Sequence, residues 1–155
     1  MDQAGCHRRK RERAIWALPL LFALIACDGF PRDTEDSSAR IAADGMRVGW
    51  VSGDEARPEL RALVGRLDQG AGRQAGVRTG SAEALLMGLE AGELDLVVGR
   101  FDAKSPWAKR VTFSQPLQTA PIAGEELQSV AATRNGEHAW AMTVDKAVAA
   151  TGGRS

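Results

Sequence analysis

The chain has 155 residues, which is enough for one domain and not comfortably for two. Its apolar content of 44% and charged content of 26% are ordinary for a globular protein. The formal net charge is zero, but the charges are unevenly spread: from residue 27 onward, 15 basic residues face 18 acidic ones. This mildly acidic part lacks the basic footprint that nucleic-acid binding needs, so we expect no nucleic-acid partner.

The N-terminus has three parts. A basic cluster at residues 7–13 precedes an apolar run at residues 14–26, and Cys27 follows. The run is too short to cross a bilayer as a helix, which takes about 20 residues, but it suits the core of a secretory signal. The letters LIAC at residues 24–27 resemble the lipobox of bacterial lipoproteins, in which a small residue precedes a cysteine whose thiol takes the lipid. The resemblance implies a lipoprotein signal peptide at residues 1–26 and a membrane anchor on Cys27.

Three alternatives to this interpretation stay open. The run could be an ordinary secretory signal with an incidental cysteine, or an uncleaved N-terminal membrane anchor. The other cysteine, Cys6, would leave with the signal, although a disulfide between Cys6 and Cys27 is the third alternative. Asp28 resembles the retention signal of enteric lipoproteins, which favours the periplasmic face of the inner membrane.

Residues 28–44 are polar and without sustained periodicity, so we predict a flexible tether at residues 27–44 and a folded part at residues 45–155. Hydrophobic spacing then predicts, in chain order, a strand at 46–51, a helix at 58–67, a short strand at 74–78, a helix at 82–89 and a buried strand at 94–99. This alternation predicts an α/β sheet with crossover helices.

Three segments carry a resemblance to a known family. They are GSAEALLMGLEAGELDLVVG at residues 80–99, VTFSQP at 111–116 and NGEHAW at 135–140, which leads into a helix. Their order and spacing resemble the family 3 extracellular solute-binding proteins of ABC importers, over about residues 46–120 and 128–150. The resemblance implies a periplasmic-binding-protein-like lobe with a small, mostly parallel sheet, flanking helices and a C-terminal helix packed back on the lobe. It also implies binding of a small solute for an ABC-type importer or a membrane sensor.

The chain departs from that family in two places. The family inserts a second lobe after the Phe-Ser-x-Pro element, whereas only residues 117–128 separate that element from the C-terminal segment here. We therefore expect the first lobe alone, with poor affinity unless a partner or second copy covers the ligand. The second departure is Trp107, which stands where amino-acid-binding members carry a carboxylate-binding arginine. Arg100 and Lys104 lie in the same loop and are the candidate substitutes.

Ligands of open α/β sheets gather at the carboxyl ends of strands. On that basis the candidate ligand-binding residues are Trp50, Ser52, Asp54, Thr79, Ser81, Arg100, Trp107 and Ser114. Several have a plainer interpretation: the two tryptophans as packing residues, Ser52 and Asp54 as a solvated turn, and Thr79 and Ser81 as helix caps. Asp95 and Trp140 are expected to be structural.

Catalysis has little support in the sequence. His138 is the one histidine after the signal, and the anchored chain would keep no free cysteine, so neither a catalytic triad nor a zinc site can be assembled. No glycine-rich segment matches a phosphate-binding loop. We expect no enzyme, no cofactor and no metal. The alternative function is a degenerate single-lobe interaction or structural lipoprotein that has lost its ligand and contacts an ABC permease or other membrane protein.

Overall fold

A computed structural model describes residues 33–71, 74–122 and 124–152. The helices are α1 (Ser37–Asp44), α2 (Pro58–Ala71), α3 (Ala82–Glu90) and α4 (His138–Thr151), and the strands are β1 (Met46–Val51), β2 (Gln74–Gly80), β3 (Leu96–Asp102), β4 (Val111–Phe113), β5 (Gln118–Ile122) and β6 (Glu125–Arg134). The signal peptide and the lipidation site predicted at Cys27 lie outside the described residues. Within those residues, no helix has the length and apolarity that a membrane crossing requires.

All six strands form one sheet in the order β2-β1-β3-β6-β4, with β5 also paired to β6. Strand β1 runs parallel to β2 and β3, whereas β6 runs antiparallel to β3, β4 and β5. The predicted α/β lobe with flanking helices is therefore confirmed. Its sheet is mixed rather than mostly parallel, because β6 returns against its neighbours after a tight hairpin with β5.

The sheet has an apolar cluster on each face, because successive side chains of a strand point to opposite sides. Leu96 and Val98 join α2 and α4 on one face, and Val97 joins α3 on the other. Among the described residues, the buried members of both clusters lie between Ile41 and Val148. Helix α4 contacts α1, α2 and β6, which confirms the predicted return of the C-terminal helix.

Residues 37–44, which we expected to belong to the flexible tether, form α1 instead. Ile41 is 1% exposed and belongs to the core. Two carboxylates cap helices across the chain: Glu137 accepts hydrogen bonds from the backbone nitrogens of Glu35 (2.9 Å) and Ser37 (3.2 Å), and Asp33 accepts one from the backbone nitrogen of Trp140 (2.9 Å). The folded part therefore begins by Asp33, about a hundred residues from the partners that hold it.

Asp95 anchors the amino end of β3, as expected of a structural residue. It is buried and accepts hydrogen bonds from Arg40 and from Arg47, whose backbone nitrogen lies 2.8 Å and Nη2 2.7 Å away. Burial alone disfavours its charged form, but the bonds from Arg47 and Arg40 outweigh burial and hold the pKa of Asp95 below its usual value. The Trp140 Nε1–H donates a hydrogen bond to the backbone oxygen of Asp95 at 2.8 Å. This contact confirms the packing role of that tryptophan.

The hairpin of β5 and β6 occupies the position where the resembled family inserts its second lobe. Ile122 and Glu125 are register partners, so two residues connect the strands. Gly124 has a φ of +87°, a conformation that glycine adopts without strain. A two-residue connection therefore stands at the position where the resembled family carries its second lobe.

Candidate functional site

Asp54 lies at the centre of a charged cluster at the carboxyl ends of β1 and β3. It is 2% exposed, and its Oδ1 accepts hydrogen bonds from Arg57 Nε (2.8 Å) and Arg100 Nε (2.7 Å). Its Oδ2 accepts one from the Arg100 backbone nitrogen at 2.8 Å. Burial opposes ionisation, but these bonds prevail and lower the pKa of Asp54. Asp54 is therefore a fixed carboxylate that orients two guanidinium groups.

The approach of Asp54 to β3 depends on Gly99. A Cβ atom at this position would lie 2.4 Å from Val51 Cγ2 and 3.4 Å from Asp54 Oδ2. The first distance is a severe overlap with a neighbouring side chain, so the missing side chain lets the loop after β1 close onto β3.

Two further residues complete this group. Glu59, in the first turn of α2, accepts a hydrogen bond from Ser129 Oγ of β6 at 2.9 Å and lies 3.5 Å from Arg57 Nη1. We call Asp54, Arg57, Glu59, Arg100 and Ser129 the edge cluster. Its two carboxylates balance its two guanidinium groups. The arginine side chains are 29% and 27% exposed and hold Asp54 through Nε. Both terminal nitrogens of Arg100 and the Nη2 of Arg57 therefore remain for a ligand, whereas the Arg57 Nη1 faces Glu59.

Three more predicted residues gather at the same end of the sheet. Ser52 is exposed, and its backbone nitrogen donates to the Gly80 oxygen at 2.9 Å, which brings the loop after β1 beside the end of β2. Ser81 Oγ accepts a hydrogen bond from the Ala84 nitrogen, so this serine caps α3. Thr79 lies in β2, which is exposed along nearly its whole length. Ser52, Thr79 and Ser81 thus flank the edge cluster, although none of them donates to it.

The structure does not bring the other three predicted residues into the edge cluster. Trp50 is 8% exposed and packs in the core against α2 and α4, which corrects its assignment to the ligand surface. Trp107 lies in a 3₁₀ turn, and the Arg110 guanidinium lies 4.4 Å from its ring centroid, so a cation of the chain already covers that ring. Ser114 Oγ donates to the Gln115 oxygen and accepts from the Ala131 nitrogen, so its hydroxyl is engaged by the backbone.

The sequence analysis missed Arg57, Glu59 and Ser129. Arg57 and Glu59 flank Pro58 at the start of the predicted helix, directly after the loop that follows β1. That position could have indicated them as candidates, because ligand-binding residues of such sheets lie in these loops. Ser129 is 70 residues from Glu59 and meets it because it pairs with Arg100 across β3 and β6. No local pattern indicates that meeting.

The edge cluster combines buried acceptors and hydroxyls with partly exposed cations: Asp54 and Ser129 are buried, whereas the Arg57 and Arg100 side chains are partly exposed. The four cavities characterised among the described residues are lined by other side chains. The same residues contain no group of three histidine, cysteine, aspartate or glutamate side chains placed to hold a metal ion.

Comparison with known proteins supports the fold. No family model and no curated protein matches the chain. Among solved structures, a single-site variant of the arginine-bound domain 1 of TmArgBP has a TM-score of 0.60 at 16% identity, covering 73% of this chain and 96% of that one. The arginine-bound domain 1 itself has a TM-score of 0.56 at 16% identity, covering 72% and 97%.

A third solved structure extends the likeness. A double mutant of the BvgS VFT2 domain from Bordetella pertussis has a TM-score of 0.56 at 11% identity, covering 77% of this chain and 94% of that one. Together these likenesses confirm a single α/β lobe with a solute-binding-protein-like fold. Membership of solute-binding family 3 stays a prediction, because identities this low establish the fold alone.

Proposed function

We propose that this chain is a lipid-anchored solute-binding lobe that holds a small carboxylate-bearing solute at the edge cluster. It acts at the periplasmic face of the inner membrane for an ABC-type importer or a membrane sensor. The observation that carries the proposal is the pair of guanidinium groups, Arg57 and Arg100, fixed on buried Asp54 at the carboxyl ends of β1 and β3.

The chemistry of the edge favours a carboxylate. A guanidinium group binds a carboxylate through two parallel N–H bonds, and Arg100 keeps both terminal nitrogens free of Asp54 for this purpose. Arg57 adds its Nη2, since its Nη1 faces Glu59. Because Asp54 already holds both side chains, little rotamer freedom remains to be lost when a ligand binds. In the resembled family an arginine binds the ligand carboxylate, and this chain has Trp107 at that position. We propose that Arg100 binds the carboxylate instead.

A single lobe of this fold can carry a ligand. The arginine-bound TmArgBP structure consists of domain 1, and 96% of its variant aligns with this chain. An open edge leaves the solute partly hydrated, so we expect weak binding that a second copy or a membrane partner strengthens.

The test uses residues 28–155, which contain every described core residue. Amino acids, small organic acids, polyamines and sugars are screened by thermal shift, and responders are measured by calorimetry. Carboxylate ligands should raise the melting temperature, since a ligand at a hundred times its Kd stabilises the native state by about 2.7 kcal/mol. Arg100→Gln should abolish the shift. Arg61→Gln, which removes the same charge from an exposed position one turn along α2 from Arg57, should keep it.

Two results would contradict ligand binding at the edge: no response to any carboxylate by a folded wild-type lobe, or an equal loss in both variants. The first result would favour the second candidate function, an interaction lobe without its own ligand. That candidate is supported by the self-neutralised charges of the edge cluster, in which Asp54 and Glu59 already pair with Arg57 and Arg100. A permease that co-purifies with the unliganded lobe would support it directly.

A further inference from the structure

A second charged site lies at the other end of the sheet. A cavity of about 360 Å³ opens at the amino ends of β1 and β3, opposite the edge cluster. Arg40 from α1, Arg47 from β1 and Arg134 from the end of β6 line it, with side chains 32%, 34% and 33% exposed. We call it the three-arginine cavity.

Asp95 already accepts two side-chain hydrogen bonds from Arg40 (Nη1 and Nη2) and two from Arg47 (Nε and Nη2), so these two guanidinium groups offer a ligand only their remaining N–H groups. Asp95 and Glu137 are buried, and their oxygens already accept hydrogen bonds from Arg40 and Arg47 and from the start of α1. Glu35 is 58% exposed and lies 3.9 Å from Arg134, a loose pair that solvent screens. Arg134 is therefore the least committed of the three arginines.

The position of Arg134 is nevertheless defined. Its Nη1 lies 3.1 Å from where a Cβ would stand on Gly92, which follows the end of α3 and has a φ of +77°. The guanidinium thus lies against a bare stretch of backbone. The opening suits a tetrahedral oxyanion, because Arg134 can present paired N–H donors to phosphate oxygens. Arg40 and Arg47 add the N–H groups that Asp95 does not accept.

We propose that the three-arginine cavity binds a phosphate group, and that its occupant is the headgroup phosphate of an anionic phospholipid. Glu35 and Ser37 line the cavity, and Cys27 precedes Asp33 by six residues. Six residues span at most about 20 Å. A lipid on Cys27 therefore brings this end of the lobe to the bilayer surface, where anionic headgroups attract arginine. The location of this cavity at the membrane rests on the proposed lipid anchor. The binding of phosphate by the three arginines does not depend on that anchor.

The experiment uses residues 28–155 without lipid, so that failure of the anchor and failure of phosphate binding are distinguishable. Co-sedimentation is measured with vesicles of phosphatidylcholine alone and of phosphatidylcholine mixed with phosphatidylglycerol, and melting is followed with inorganic phosphate. The lobe should bind the mixed vesicles, and phosphate should raise its melting temperature and compete with the vesicles. Arg134→Gln should weaken vesicle binding about fivefold, the factor that corresponds to about 1 kcal/mol per basic residue at such a surface, and should remove the phosphate shift.

Two matched variants sharpen the result. Arg78→Gln removes an equal charge from an exposed arginine that pairs with Glu93, and it should change neither measurement. Glu35→Gln removes the competing carboxylate and should strengthen binding. Equal losses for Arg78→Gln and Arg134→Gln would show attraction by overall charge and overturn the site. A phosphate shift that depends on Arg134 without vesicle binding would overturn the phospholipid as occupant, and circular dichroism checks that each variant is folded.

Discussion

Replacing Asp95 with asparagine tests how much the buried ion pairs at the amino end of β3 contribute to the stability of the lobe. The substituted side chain would keep one acceptor oxygen, but its amide N–H groups would face the donors of Arg40 and Arg47. Removal of one partner from a buried ion pair typically costs about 3–5 kcal/mol. Both arginines are about one-third exposed and regain water, so we expect a loss of about 2–3 kcal/mol. For a lobe of this size the melting temperature falls by about 10 °C.

The assay is thermal unfolding by circular dichroism, from neutral pH down through the titration of carboxylates. The pKa of Asp95 is lower in the folded state than the usual value of about 3.9. Its contribution to stability is therefore present above about pH 4 and disappears as the pH falls through the folded-state pKa. The melting temperatures of the wild type and of Asp95→Asn should converge on acidification. Asp145→Asn, at an exposed site on α4, should match the wild type throughout.

Two outcomes would refute this reasoning. A loss below about 1 kcal/mol at neutral pH would mean that the arginines hold the amino end of β3 without a charged partner. A difference that stays constant with pH would mean that the loss comes from packing rather than from ionisation. Other carboxylates titrate in the same range, but they are common to both proteins and cancel in the difference.

Two further predictions concern the sheet and the anchor. Gly99→Ala places a methyl group 2.4 Å from Val51 Cγ2 and should destabilise the lobe by about 1–3 kcal/mol in chemical denaturation. Gly65→Ala, in α2 with open space around its Cβ, should be neutral or stabilising by up to about 1 kcal/mol. An equal loss in both would point to a general intolerance of alanine rather than to the contact between β1 and β3. Cys27→Ala should release a folded lobe from the membrane fraction, and a variant that stays bound after signal cleavage would contradict lipidation.

Local periodicity was enough to predict much of this fold. Residues 46–51 form β1 as predicted, and the apolar spacing of residues 82–89 correctly placed α3. The helix predicted at 58–67 continues to Ala71, past the last apolar residue of its predicted face at Leu67. These elements carry their own apolar faces, so the sequence around each of them contains the necessary information.

Contacts made between distant segments were beyond the same reasoning. Helix α1 has one strongly buried apolar residue, Ile41, and its N-terminal cap comes from Glu137, a hundred residues away. The edge cluster likewise depends on Ser129, which the register of β6 brings to Glu59. Trp107 was selected from its place in the family pattern, but spacing could not show that Arg110 would cover its ring.

The hairpin between β5 and β6 has a consequence for the history and engineering of this chain. Ile122 of β5 and Glu125 of β6 are paired neighbours in the sheet. Any segment inserted between them would therefore have its first and last residues close together. Its excision would leave two chain ends close enough to rejoin through two residues, with no strand displaced and little loop-closure entropy to overcome. The same junction is a ready insertion point, where a folded reporter domain with neighbouring termini can be grafted in while β6 keeps its pairing with β3.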